Sequence, residues 1–442
     1  MTNIASLILI LYAFFLLLPL PVLSSGAGYQ GGGGAGGTTL PGGTSGQIQY
    51  NNGGAFGGTS NITLPQLPTG MTGQMQCRLY LTSGSPYTDA TNATNTYVGP
   101  AGGGNNVALP DATGNVYTTL PLSEITTAVP AGYFRIYDVF LHNNSGTVAE
   151  SQTAWDSGGQ VSGTITSVSI ANPAVISTSN TTGIAVGDLI GVAGIVGTVG
   201  TNSSIGLNSH VFKIASIVAN TSITLETGIN TASLAYTSSG NWYRIPVART
   251  TGLTYANGQY HQSGALNNIY VGTYMVDGTG LGYAQDNTSS RLNWNYFNRV
   301  NKQLIAQDTT STWTYATGAW RPRDNNIQPG VGRNEFITGI TEDAYSGSIQ
   351  SYTSNVTSGN YQYQELAINT VAPGTSTALV AAGFNQQTGF LSAQGNFVPT
   401  LGYSFAQALE APYPATSMTW YGYSNTSLSY NGAGSSFIQG RF

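Results

Sequence analysis

The chain has 442 residues, of which 12 are Lys or Arg and 17 are Asp or Glu, for a formal net charge of −5. A charged content of 7% is far below the ~25% of ordinary soluble domains. It excludes a dense basic surface for gripping a nucleic acid backbone, and 40% hydrophobic residues exclude disorder driven by charge. The single cysteine, Cys77, excludes an internal disulfide or a multi-thiolate metal site. His142, His210 and His261 are too scattered to suggest a zinc cage. No cofactor or metal is expected.

Residues 4–23 form a nearly unbroken apolar run, long enough to cross a bilayer. Small residues follow at 24–28, as at a secretory cleavage site, although residues 1–3 carry no Lys or Arg. Residues 1–23 therefore read as a signal-like segment or anchor, or else as an apolar tail buried in an assembly. Membrane contact is expected only through this run. Residues 24–75 are Gly-rich and uncharged, with GGGGAGG at 31–37, which orders only at a high entropic cost. TLPGGTSGQIQ at 39–49 returns roughly as TLPQLPTGMTGQMQ at 63–76. The stretch reads as an extended connector or docking arm without strand periodicity.

From residue 76 short apolar segments recur at 77–81, 106–109, 115–120 and 133–142, each bounded by Pro, Gly, Asn or Asp. That rhythm predicts a sandwich or barrel. Residues 163–245 carry six runs rich in Val, Ile and Thr, which suit a pleated, half-buried surface. They read as a small β-barrel or sandwich inserted into a main body of residues 76–162 and 246–442, and as removable without unfolding it. Residues 246–442 have longer segments with more aromatics. Trp313 and Tyr315 alternate with Thr312 and Thr314, which marks a strand. The expected fold is all-β: an antiparallel, jelly-roll-like sandwich with an inserted small β domain and an extended Gly-rich arm.

Charge is scarce, so its placement is informative. Residues 286–343 hold 12 charged residues together with Trp294, Tyr296, Phe297, Trp313, Tyr315 and Trp320. Arg beside aromatics is the composition of interface hot spots and of stacking platforms for sugars or bases. Trp294, Tyr296, Arg299, Trp313, Tyr315, Trp320, Arg321 and Arg323 are the candidates for binding or oligomer contact, with Trp294, Arg299, Trp313 and Arg321 as anchors. The alternative is a fold core with ion pairs. Glu335, Glu342 and Asp343 invite comparison with a glycosidase pair. Adjacent residues on a strand point to opposite faces, so Glu342 and Asp343 cannot share one site if they lie on a strand. There is no nucleophile elbow between a strand and a helix, and no Lys-Ser/Thr follows the glycine runs as in a phosphate loop.

Several blocks resemble a known family. GQIQYNNGGAFGG at 46–58 is similar to a short connector common in bacteriophage tail and fibre proteins. CRLYLTSGSPYT (77–88), YDVFLHNNSGT (137–147), RLNWNYFNRVNKQL (291–304), STWTYATGAWRP (311–322) and FITGITEDAYSG (336–347) follow in order. Together they resemble a family of phage virion structural proteins associated with tails or fibres. The pattern covers roughly 76–160 and 246–410. The resemblance implies a virion component, a homo-oligomeric appendage with a trimer favoured. Its arm would dock on other virion proteins and its body would meet a host-surface glycan or protein by multivalent binding. It supplies no catalytic residue. A secreted or surface-anchored adhesin is the competing reading, and a polysaccharide-degrading virion enzyme the third.

Overall fold

The computed structural model describes residues 48–52, 55–59, 75–169, 171–199, 207–226, 234–278, 282–355, 361–371, 379–382, 388–413, 417–423 and 434–442. The apolar run 1–23 and most of the arm lie outside the described residues. The chain divides into two units, Met1–Thr63 and Leu64–Phe442. In the first, Ile48–Asn52 pairs antiparallel with Ala55–Thr59, with Asn52 opposite Ala55. The arm therefore contains a hairpin, which corrects its reading as strandless. Asn-Gly-Gly between two β-formers, Tyr50 and Phe56, was the overlooked signal.

The second unit is all-β; among the described residues its strand ladders are antiparallel apart from the parallel pairing of Ser290–Arg291 with Arg333–Thr338. An eight-stranded sheet is built around Arg333–Thr338, Gly402–Tyr413 and Tyr361–Ile368. A C-terminal sheet joins Asn301–Gln307, Ser435–Arg441, Tyr345–Asn355, Met418–Tyr421 and Thr312–Tyr315, with Thr388–Phe397 on the other side of Tyr345–Asn355. The two share one core: Phe336, Leu366 and Phe405 from the first, Leu304, Ile349 and Ile438 from the second. This is the antiparallel sandwich the alternation implied.

A third sheet has Ile136–Asn144 and Ala265–Met275 at its centre. Ile136 and Phe140 enter the sandwich core, whereas Val139 and Leu141 enter a second core with Cys77, Leu79, Val98 and Val107. A strand covered on both faces needs apolar residues at successive positions rather than in alternation. This accounts for apolar residues at neighbouring positions on either side of Asp138 in 136–141, where Asp138 itself is paired with Arg249.

Between these two strands the chain makes a closed barrel, in the order Ser162–Val168, Val175–Thr178, Ser222–Leu225, His210–Val218, Leu189–Ala193 and Asn241–Arg244. Ile165, Ile176, Ile190, Phe212, Ile223 and Trp242 fill it. The barrel, read from the sequence as removable, shares contacts with the body. Ile327, Ala367, Val371 and Leu409 of the body belong to the same apolar cluster. Glu226 accepts hydrogen bonds from Thr370 Oγ1 (2.9 Å) and Val371 N (2.8 Å). Phe134, held at φ +55°, lays its ring against Gly191 of the barrel and Gly278 of the body, where any Cβ would collide with it. A bulky residue in the left-handed region is a true outlier, and here it serves as a peg across the joint.

Candidate functional site

The structure separates the eight candidates into two clusters. Trp294 lies on Asn293–Asn295, which pairs with Ala265–Met275. Its ring is 1% exposed and stacks on Tyr270, centroids 6.2 Å apart. Arg299 places its guanidinium 5.1 Å from the Trp294 ring centroid and reaches Asp343 Oδ2 at 2.7 Å and Glu342 Oε2 at 3.0 Å. Tyr296 is half-buried and edge-on to Tyr260 at 5.4 Å. Burial, assisted by the Glu342 charge, holds its phenol well above the usual range.

The condition that would keep Glu342 and Asp343 apart, a place on a strand, is not met. They fall outside the strands, between Arg333–Thr338 and Tyr345–Asn355, so strand parity does not apply. Both carboxylates converge on one guanidinium. Glu335, the third imagined partner, is 7% exposed on Arg333–Thr338, and burial raises its carboxyl above the ordinary value.

The second cluster centres on a residue that the sequence reading missed. Glu410, fully buried on Gly402–Tyr413, accepts from Trp313 Nε1 (2.9 Å to Oε2) and Arg321 Nε (2.8 Å to Oε1). It also accepts from the backbone N–H of Asp324 (3.2 Å). Arg321 stacks 3.8 Å over the Tyr315 ring. Trp320 sits tilted against Tyr363, at 6.2 Å. Burial pushes the Glu410 carboxyl up to about 7 despite Arg321. Asp324, at φ +49°, is raised to about 6 by burial and by the neighbouring Asp308 charge. Arg323 is 0% exposed, with Asp308 and Glu410 as opposing charges. A lone Glu in the neutral segment 402–413 was the available signal, because an unpaired carboxylate does not survive in a strand interior.

Trp294 and Trp313, two of the four expected anchors, and the candidate Arg323 turn inward. All three are enclosed by their own chain. Tyr296, Tyr315, Trp320 and Arg321 keep partial exposure.

The same inward turn holds elsewhere. Arg78 donates to the carbonyls of Pro86 (2.8 Å) and Asn298 (2.6 Å). Arg291 and Lys302 converge on Asp286, at 3.2 and 2.6 Å. Arg333 spans the joint, donating to Val211 O (2.7 Å) and Gln407 Oε1 (3.1 Å). Beside it, burial and the Arg333 charge push His210 down to about 3. His210, Glu335, Asp277, Ser290 and Tyr403 help to line a cavity of about 230 Å³ between barrel and body. Among the described residues, no group of three His, Cys, Asp or Glu is placed to hold a metal ion.

No family model matches the chain, and no curated protein matches it. Among solved structures, T=1 particles derived from infectious bursal virus are similar at 10% identity, over 82% of this chain and 68% of that chain, with a TM-score of 0.21. The Gx strain of infectious bursal disease virus is similar at 10% identity, over 82% and 69%, with a TM-score of 0.17. Scores this low are well short of a shared fold.

Proposed function

We propose that this protein is a structural component of a bacteriophage or prophage particle, a tail or fibre appendage that attaches by many weak contacts. The observation that carries the reading is where the charge goes. Arg78, Arg249, Arg291, Lys302, Arg321, Arg323 and Arg333 are buried or nearly so, each held by its own chain. The outward side of the C-terminal sheet carries Gln303, Ser346, Ser348, Gln394, Asn396 and Gln439 with Phe437, and Arg441 is exposed at the end of its strand. A rigid sandwich whose outer face is largely uncharged suits repeated weak contacts, which valency multiplies, and has little like-charge repulsion to oppose self-association. The ordered blocks resembling phage virion proteins support the same reading.

The test is to induce particles from a strain carrying the gene, band them in a density gradient and analyse them by mass spectrometry. Peptides from 137–160 and 291–322 are expected in the particle band, at a constant ratio to the other shell proteins. Recovery only in the membrane or culture-supernatant fraction would overturn the proposal and favour an adhesin.

A further inference from the structure

We propose that the outer face of the C-terminal sheet is a binding groove for a neutral polysaccharide. A groove of about 590 Å³ crosses four of its strands. Strand register arranges the lining. Gln303, Gln439, Ser346 and Asn396 stand in one cross-strand row, and Phe437, Ser348 and Gln394 in the next. The intervening residues Leu304, Ile438 and Ile349 point into the sandwich core, so the outward set is fixed by residues that cannot leave it.

The chemistry of this lining is selective. Each amide offers a donor and an acceptor side by side, which matches the adjacent hydroxyls of a hexose. Phe437 adds an apolar face for the C–H side of a sugar ring. The groove residues carry no ionised group, and the exposed Arg441 lies two positions beyond Gln439, outside the lining, so a polyanion gains little Coulomb attraction in the groove itself. A neutral ligand displaces water without stripping a charge. A protein partner is a poorer match, because interface cores are depleted in Ser and enriched in Tyr, Trp and Arg. The groove is open and shallow, so each site binds weakly and depends on valency. The inference takes its valency from the attachment reading. A chain that bands with particles but ignores sugars would keep that reading and lose this one.

The experiment is affinity electrophoresis of the full chain in native gels containing mannan, galactan, dextran or, as a polyanion, polygalacturonate. Retardation by at least one neutral polymer is expected, with none by polygalacturonate. Phe437→Ala and Gln394→Ala should each weaken it at least tenfold, whereas Val186→Ser, on the exposed surface of the barrel, should leave it unchanged. Ser348→Lys adds a charge to the groove without touching the core, and it should abolish retardation while the thermal melt is preserved. The proposal is overturned if no neutral polymer retards the chain, if only polygalacturonate does, or if the groove variants migrate like wild type. A Ser348→Lys variant that changes oligomeric state in sedimentation and leaves retardation intact would assign the face to a second copy instead.

Discussion

Arg249 clasps Asp138 through two hydrogen bonds, Nε to Oδ2 at 2.5 Å and Nη2 to Oδ1 at 3.0 Å, from opposite sides of the inserted barrel in sequence. Trp155 Nε1 (2.9 Å) and Thr273 Oγ1 (2.7 Å) donate to the same carboxylate, and the guanidinium lies 4.3 Å from the Trp155 ring centroid. Arg249 also reaches Gly339 O at 2.7 Å. The pair locks the strand before the barrel to the chain that leaves it.

Breaking one half of this pair strands a buried charge. Asp138→Ala and Arg249→Ala are each expected to cost about 3–5 kcal/mol of stability. The double variant should cost less than their sum, because neither leaves a partner behind. Urea unfolding of the three variants measures both. Single variants within 1 kcal/mol of wild type would show that the clasp is dispensable.

Trp313 packs with Leu391, Met418 and Trp420, so its truncation acts on folding. Trp313→Ala should cost about 3–5 kcal/mol, as for other buried aromatics. Trp313→Phe keeps most of the packing and removes one donor from Glu410, for about 1–3 kcal/mol. Thermal melts rank the two. A Trp313→Ala protein that melts like wild type but dissociates in sedimentation would restore this residue as an intersubunit anchor.

Glu410 gives stability a defined pH slope. Its carboxyl rises from the ordinary 4.5 to about 7 in the folded chain. Between those values the folded state keeps a proton that the unfolded state has released, so stability is full below pH 4.5 and falls as pH rises towards 7. Asp324, raised from 3.8 to about 6, acts in the same direction over its own window. The Glu410 contribution is at most about 3 kcal/mol. Glu410→Gln should flatten the change in melting temperature between pH 5 and pH 7.5, whatever its absolute stability. An unchanged slope would exclude Glu410 as its source.

Strand positions were largely legible in the sequence, because alternation and Val/Ile/Thr runs register burial directly. Thr312–Tyr315 and the barrel strands show this. The candidate site was legible only as a composition. Trp313 and Arg321 stood out, but their partner Glu410 lies 97 and 89 positions away, a separation that no local pattern reports. An enclosed tryptophan and an exposed one read alike until the sheets are stacked. Glu342 and Asp343 come together because they lie outside the strands, a point that the run at 335–343 left open.

Deleting the barrel tests the shared core. A Gly/Ser bridge in place of 162–244 leaves Ile327, Ala367 and Leu409 without cover and takes Val211 O from Arg333. The shortened chain is expected to lose cooperative unfolding or to melt at least 10 °C lower, by circular dichroism. A melt matching wild type would show that the body is complete without it.

Cys77 is enclosed in the second core, and burial pushes its thiol up to about 12. A protonated, covered thiol is inert. Aromatic disulfide reagents should label it only in denaturant, and labelling of the native chain within minutes would show that this core opens.

The first and last strands of the barrel are hydrogen-bonded neighbours, with Ser162 opposite Tyr243. A barrel that closes early therefore delivers its two ends side by side. The residues between them then add almost nothing to the loop that the two halves of the third sheet must close, whereas an unstructured loop would grow costlier with its length. Seen along the folding path, the barrel acts as a splint. Where the barrel forms first, it turns a long-range encounter between Ile136–Asn144 and Ala265–Met275 into a nearly local one.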